Sequence, residues 1–426
     1  MAAFFIFIGV LIFCAHVFAA LFSKRRIPDV LFLVVIGIVL GPLLGVFKPD
    51  MMGNFGPLFS SLTLILILFD GGVDMSIDAL RKYWRGMVQV TFFSFVVTMG
   101  LTGLVGRLFG MHTGTALMMG AMLGGTAAAI VIPLVKQMRL SEYARTVLSM
   151  ESALSAVLCM VVALAFMDSY GMGSLSVPSM LGSVISSFLM ALGIGVVGGV
   201  VWSSLLDRVR TLQNSMFLTP AFVFVLYGIT ESLGYSGAIA ALAFGLVLGN
   251  PDYFEMSFLS KFGLHQMSPL EEGEKSFFKE FVFILKTYFF VYIGICIPFT
   301  DFHALLYGAV ISAALFVIRF AIVGIVGRKN TKADRLTVSM MIPKGLVSAV
   351  LASMPEQLNA EMGYPVIECA TEIKNITYAV IFCSIIICSL LVLIASKRLV
   401  KTDDELDWSG HIAEPDKTKG EQHEIL

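Results

Sequence analysis

Residues 120–133 read GAMLGGTAAAIVIP, and residues 339–350 read SMMIPKGLVSAV. Both stretches are apolar enough to lie in a membrane. Each spoils a simple helix near its middle, through Gly124-Gly125-Thr126 (with Pro133 beyond) in the first and Pro343-Lys344-Gly345 in the second. Glycine and proline are common in membrane helices, so one such break carries little weight. The pair carries more, because of where the two breaks fall in the chain.

Around them runs a long series of apolar stretches of about 20 residues, each enough to cross a hydrocarbon core of roughly 30 Å. Of the 426 residues 57% are apolar and 14% are charged, against about 25% charged in a soluble domain. That supply cannot cover a soluble surface, so the composition excludes soluble enzymes and nucleic-acid binders. We read thirteen spans, at roughly 3–22, 28–46, 57–79, 86–109, 114–137, 143–167, 179–205, 216–231, 236–250, 277–298, 303–326, 335–354 and 374–396. The breaks lie in spans five and twelve, an odd number apart, so those two spans cross in opposite directions. Six spans, a linker helix and six spans make an inverted repeat with a discontinuous helix at the same place in each half. In that arrangement half-helix ends build an ion site near the bilayer midplane. The expected fold class is therefore an all-α membrane protein of about 13 transmembrane helices with two crossed discontinuous helices.

Lysine and arginine alternate between the short connections. One set carries Lys24-Arg25-Arg26, Arg81, Lys82 and Arg85, Lys136, Arg139 and Arg145, Arg208 and Arg210, Lys261, Lys275 and Lys279, and Arg328, Lys329, Lys332 and Arg335. Lys397, Arg398 and Lys401 follow the last span, and the intervening connections carry only Lys48 and Arg107. The pattern places the N-terminus outside and the C-terminus in the cytoplasm. The first apolar run has no cleavage site of a secretory signal and reads as a retained helix. The polar residues 397–426 read as a short disordered cytoplasmic tail. The six cysteines show neither metal-type spacing nor a disulfide framework. The scattered histidines, with His16 alone away from a span end, suggest no metal either. No cofactor is expected, and no phosphate loop or nucleophile arrangement points to an enzyme.

An ionisable group at mid-depth costs at least about 2.5 kcal/mol on insertion scales and needs a partner or a purpose. Glu151 lies about nine residues into span six and Arg319 about nine residues from the inner end of span eleven, so both fall at similar depth. The spacing predicts a structural Glu151–Arg319 ion pair, with direct ion binding by Glu151 as the alternative. Asp70, Asp74 and Asp78 recur every four residues at the end of span three, which puts them on one helix face. They either form an acidic funnel for cations or, for Asp74 and Asp78, merely solvate the helix end. Ser152 and Ser155 stand beside Glu151, and Thr126 lies at the break of span five. Such hydroxyls usually bond their own backbone, but beside a broken helix and a buried carboxylate they become candidate ligands. Lys344, at the break of span twelve, is placed to neutralise facing half-helix carbonyl ends or a bound charge, unless it snorkels to an interface. Lys286 has no partner suggested by spacing and is expected to face a cavity. Gly195 and Gly199 permit close packing of span seven, either internally or at a dimer contact.

These segments together resemble the monovalent cation:proton antiporter family, the sodium(potassium)/proton exchangers with thirteen spans. The resemblance covers about residues 1–396. It rests on LILILFDGG (64–72), GAMLGGTAAAIVIPLVKQM (120–138), ESALSAVLCMVVAL (151–164), Arg319 and MMIPKGLVSAVLA (340–352) in that order. It implies secondary active transport, with sodium or potassium ions and protons exchanged by alternating access in a prokaryotic plasma (inner) membrane. It further implies a homodimer, with a mobile core (about 86–167 and 303–396) and a scaffold (about 3–79 and 179–298). By position, Glu151 and Arg319 match the family's acid–arginine pair, while Thr126, Ser152 and Ser155 match positions around its ion site.

One departure is serious. The family's span-six motif normally ends in Asn-Asp or Ser-Asp, and that aspartate carries the proton or the cation; here the pair is Ser155-Ala156. A methyl group neither titrates nor ligates. Three accounts remain open: an aspartate replaced by Ala156, a relocated carboxylate, or a relative that does not transport. The corresponding functions are an exchanger disabled as it stands, an exchanger using another acid, and a transport-dead sensor or assembly partner; a cation uniporter is a further alternative.

Overall fold

The computed structural model describes residues 9–17, 29–47, 55–137, 140–171, 177–212, 215–254, 267–299, 301–326 and 331–409, and no strand occurs among them. Every expected span contains helix among its described residues. The helices are α1 (9–17), α2 (Asp29–Ile38), α3 (Phe55–Val73), α4 (Ile77–Leu108), α5 (Thr113–Met122), α6 (Ala128–Gln137), α7 (Glu142–Gly171) and α8 (Val177–Arg210). They continue with α9 (Leu218–Ser232), α10 (Gly237–Gly249), α11 (Glu272–Cys296), α12 (Phe302–Val326), α13 (Lys332–Met340), α14 (Leu346–Met362) and α15 (Ala370–Ser409). Span five is thus split into α5 and α6, and span twelve into α13 and α14. Six described helices are long and apolar enough to cross a membrane by themselves. Their outer faces carry exposed Phe92, Phe93, Ile185, Leu189, Val317 and Ile325, the apolar surface that lipid requires.

The helices pack in two groups. In one, α4 lies on α5, α7 and α12, while α15 closes on α12 and α14; in the other, α10 joins α3, α8 and α9, and α11 joins α2 and α3. Small residues let the second group approach closely. A Cβ built on Gly245 would stand 2.2 Å from the Phe69 carbonyl oxygen, and one on Gly72 2.2 Å from that of Leu242, so α3 and α10 touch through bare backbone. Gly195 and Gly199 are used in the same way, against Ala240 and Val247; they serve internal packing of α8 on α10. Replacing Gly245 by Ala should therefore force two backbones apart and cost about 1–3 kcal/mol. Gly228→Ala, where a Cβ meets nothing within 4 Å, should leave the melting temperature in detergent unchanged or slightly raised.

Two expectations need correction. Asp70, Asp74 and Asp78 do not share one helix face: α3 ends at Val73, Asp74 lies in the following turn, and Asp78 opens α4. Asn250 holds the turn, donating from Nδ2 to the carbonyl of Met75 (2.7 Å) and accepting from the amide of Ile77 (3.1 Å). Asp78 is an acidic residue in a first helical turn, where the macrodipole favours it, and it accepts a hydrogen bond from Tyr253. The second correction concerns the tail. Helix α15 continues to Ser409, in a stretch that holds neither glycine nor proline before Gly410. Residues 410–426 and the Lys24-Arg25-Arg26 anchor lie outside the described residues.

Candidate functional site

The two breaks meet. The amide of Ala127 donates to the carbonyl of Pro343 at 2.8 Å, and a Cβ on Gly345 would stand 2.6 Å from that of Ala127. Glycine is required at 345 by this close approach. The crossing brings together the C-terminal ends of α5 and α13 and the N-terminal ends of α6 and α14. Helix α7 runs alongside. Ser155 Oγ accepts from the amide of Thr126 (3.0 Å) and faces the Ser152 carbonyl at 3.4 Å, while Ser152 Oγ donates to the carbonyl of Ser149 at 2.8 Å. Ser152 and Ser155 thus spend their hydroxyls on backbone, and Ser155 secures the broken strand of chain between α5 and α6.

Glu151 and Arg319 form a bidentate pair, Nη1 to Oε1 and Nη2 to Oε2 both at 2.5 Å, with each side chain 2% exposed. Arg319 also donates to Ser94 and, through Nε, to the carbonyl of Val338 at 3.3 Å. One guanidinium therefore ties α12 to α4, α7 and the C-terminal turn of α13, where a cation meets the negative end of the helix dipole. With both carboxylate oxygens held by Arg319, Glu151 is occupied structurally. Lys344 is buried, its amide donating to Ser384 Oγ at 2.9 Å. Its side chain is 2% exposed, so it does not reach out to solvent from the crossing.

Ala156 lines a cavity of about 20 Å³ at the crossing, with Gly125, Thr126, Ala127, Ala128, Gly345 and Ser348 among its other walls. That is room for about one water-sized particle. Two larger cavities adjoin it. One of about 230 Å³ shares Ile67 and Ala128 with it and is lined also by Asp70, Asp74, Lys279, Phe283 and Lys286. The other, of about 130 Å³, shares Leu64 and includes Ser61, Tyr227, Glu231 and Gln357. The small cavity thus sits between two wider ones, all three along the seam between the two helix groups. Asp70 and Asp74 face the larger of these, but Asp78 is not in its wall. Lys286, 8% exposed, faces the same space as Asp70, its ammonium 5.7 Å from the centroid of the Phe283 ring.

Sequence reasoning missed Ser94, Ser384 and Ser348, because a lone serine in an apolar run carries no signal of what it will meet. Lys286 faces a cavity, as expected, but that the cavity is the one of Asp70 follows from the packing of α11 on α3.

The comparisons with known proteins agree with this fold. The family described as "Sodium/hydrogen exchanger, transmembrane" matches residues 9–397. The chain is 21% identical over 430 residues to Na(+)/H(+) antiporter 1 of Methanocaldococcus jannaschii, covering 96% of this chain and 94% of that one. It is 30% identical over 256 residues to the K(+)/H(+) antiporter NhaP2 of Shewanella oneidensis, covering 58% of this chain and 44% of that one. The solved structure of the sodium proton antiporter MjNhaP1 from M. jannaschii at pH 8 superposes with a TM-score of 0.73 at 20% identity, over 91% of this chain and 98% of that one.

Proposed function

The chain belongs to the sodium/hydrogen exchanger family, and from that membership we propose that it is built to exchange sodium or potassium ions for protons by alternating access at the helix crossing. The observation that carries the reading is the small cavity between the two broken helices, flanked by wider cavities that share lining residues with it. A group in that position binds a proton or a dehydrated cation but not both, and such competition makes exchange rather than co-transport. Rocking of the α4–α7 and α12–α15 group against the other would open the wider cavities in turn. The positive connections support an N-terminus outside and a C-terminus in the cytoplasm. The relatives named as Na(+)/H(+) and K(+)/H(+) antiporters support the substrate class. We further propose a homodimer in a prokaryotic plasma membrane.

The same observation limits activity. Ala156 puts a methyl where the competition needs a carboxylate, so exchange by this chain is weak or absent. That favours, as a second reading, a transport-dead sensor or assembly partner. Any residual exchange we assign to Asp70, because Glu151 is held on both oxygens by Arg319. Proton-sensitive dye dequenching in vesicles with imposed sodium or potassium gradients tests this. Residual exchange should be lost in Asp70→Asn. Current without proton coupling would identify a uniporter instead, and silence of both the native chain and Ala156→Asp would favour the sensor.

A further inference from the structure

The cavity beside Ala156 has walls that suit an anion. Helices α6 and α14, of 10 and 17 residues, both begin at it. The first amides of a helix have no intrahelical acceptor and carry the positive end of the dipole. The residue before α14 is Gly345, with no side chain to cap it, and the one before α6 is Ala127, which has no acceptor to offer either. A second observation points the same way. Ser348, 2% exposed, lines the cavity, and its hydroxyl makes no hydrogen bond among the described residues. The nearby buried charges are one carboxylate, Glu151, against two cations, Arg319 and Lys344. Two positive helix ends and an unbonded hydroxyl thus border a space of about 20 Å³, enough for one small ion.

We propose that this cavity binds a single monatomic anion of the halide class, held by the opening amides of α6 and α14 and by Ser348 Oγ. The inference rests on reading the crossing as the ion site of an exchanger, where a bound halide would take the place of the negative charge that Ala156 lacks. The C-terminal ends of α5 and α13 also meet at the crossing, and the choice of an anion rests on the opening residues of α6 and α14 and on Ser348, all three in the wall of the cavity.

The test is thermal melting of the purified full-length protein in detergent, with sodium chloride or bromide exchanged for sodium gluconate at constant ionic strength. Gluconate is too large for the cavity. A saturable rise in melting temperature with halide is expected. Ser348→Ala should weaken the apparent halide affinity by about tenfold or more, the loss of one hydrogen bond to a charged group. Ala156→Asp, which tethers a carboxylate in the cavity, should abolish the halide effect. No saturable effect in the native chain, or an effect of equal size in Ala156→Asp or in Ser348→Ala, overturns the proposal. Vesicle exchange by Ala156→Asp is scored separately. If that variant exchanges cations while the native chain ignores halide, the anion site is wrong and the exchanger reading stands; a saturable halide effect with no exchange by any variant does the reverse.

Discussion

Ala156→Asp is expected to turn a weak or silent chain into a cation/proton exchanger. The substitution places a carboxylate in the one small cavity that the two breaks enclose, beside Thr126 and Ser348 and in front of two helix N-termini. Those amides favour a negative charge, while desolvation disfavours a bare anion at mid-depth. The balance leaves the group held by either a proton or a cation, with little to choose between them. Sodium- or potassium-driven proton movement in vesicles should rise by at least roughly tenfold, the change given by 1.4 kcal/mol of altered ion binding. Apparent cation affinity should weaken as pH falls, since protons compete for the same oxygens. Ser155→Asp is the control: position 155 points about 100° around the helix, and its hydroxyl already accepts from the amide of Thr126. A folded Ala156→Asp protein that stays silent for sodium, potassium and lithium over a wide pH range would sink the exchanger reading.

Arg319→Ala should be the most damaging single truncation in the core. It removes the partner of a carboxylate that is 2% exposed, along with the donors to Ser94 and to the carbonyl of Val338. Removing one member of a buried pair strands the other charge and typically costs about 3–5 kcal/mol. The loss also releases the tie between α12 and three other helices, so half-helix α13 loses the cation at its C-terminal end. Arg107→Ala, at an exposed position near the end of α4, should change stability little. Melting of the two variants in detergent decides the matter; equal transitions would mean that Glu151 and Arg319 do not hold the core together. Glu151→Gln should fall between them, because the neutral amide still accepts hydrogen bonds from the guanidinium but no longer balances its charge.

Much of this protein was legible before any coordinates. Apolar runs of about 20 residues admit one solution in lipid, the helix, since every backbone group must be satisfied within the segment. The number of spans and the two interruptions follow from length and from the glycine and proline breaks, while the basic connections carry the proposed orientation. Depth along a helix is nearly fixed by residue count, which is why Glu151 and Arg319 are found at the same level and in contact.

What spacing along one helix cannot decide is where that helix stops and what lies across from it. The regular spacing of Asp70, Asp74 and Asp78 suggested a single stripe, but helix α3 ends at Val73, held there by Asn250 from more than 170 residues away in the chain. Lys286 meets the cavity of Asp70 only because α11 packs on α3. That the two breaks cross was expected from their pairing in the chain; which atoms meet, the Ala127 amide and the Pro343 carbonyl, only the packing decided. The identity of Ala156 is read from the chain alone; that its methyl faces a cavity between two uncapped helix ends is a property of the folded whole, because only packing sets which face of α7 the breaks approach.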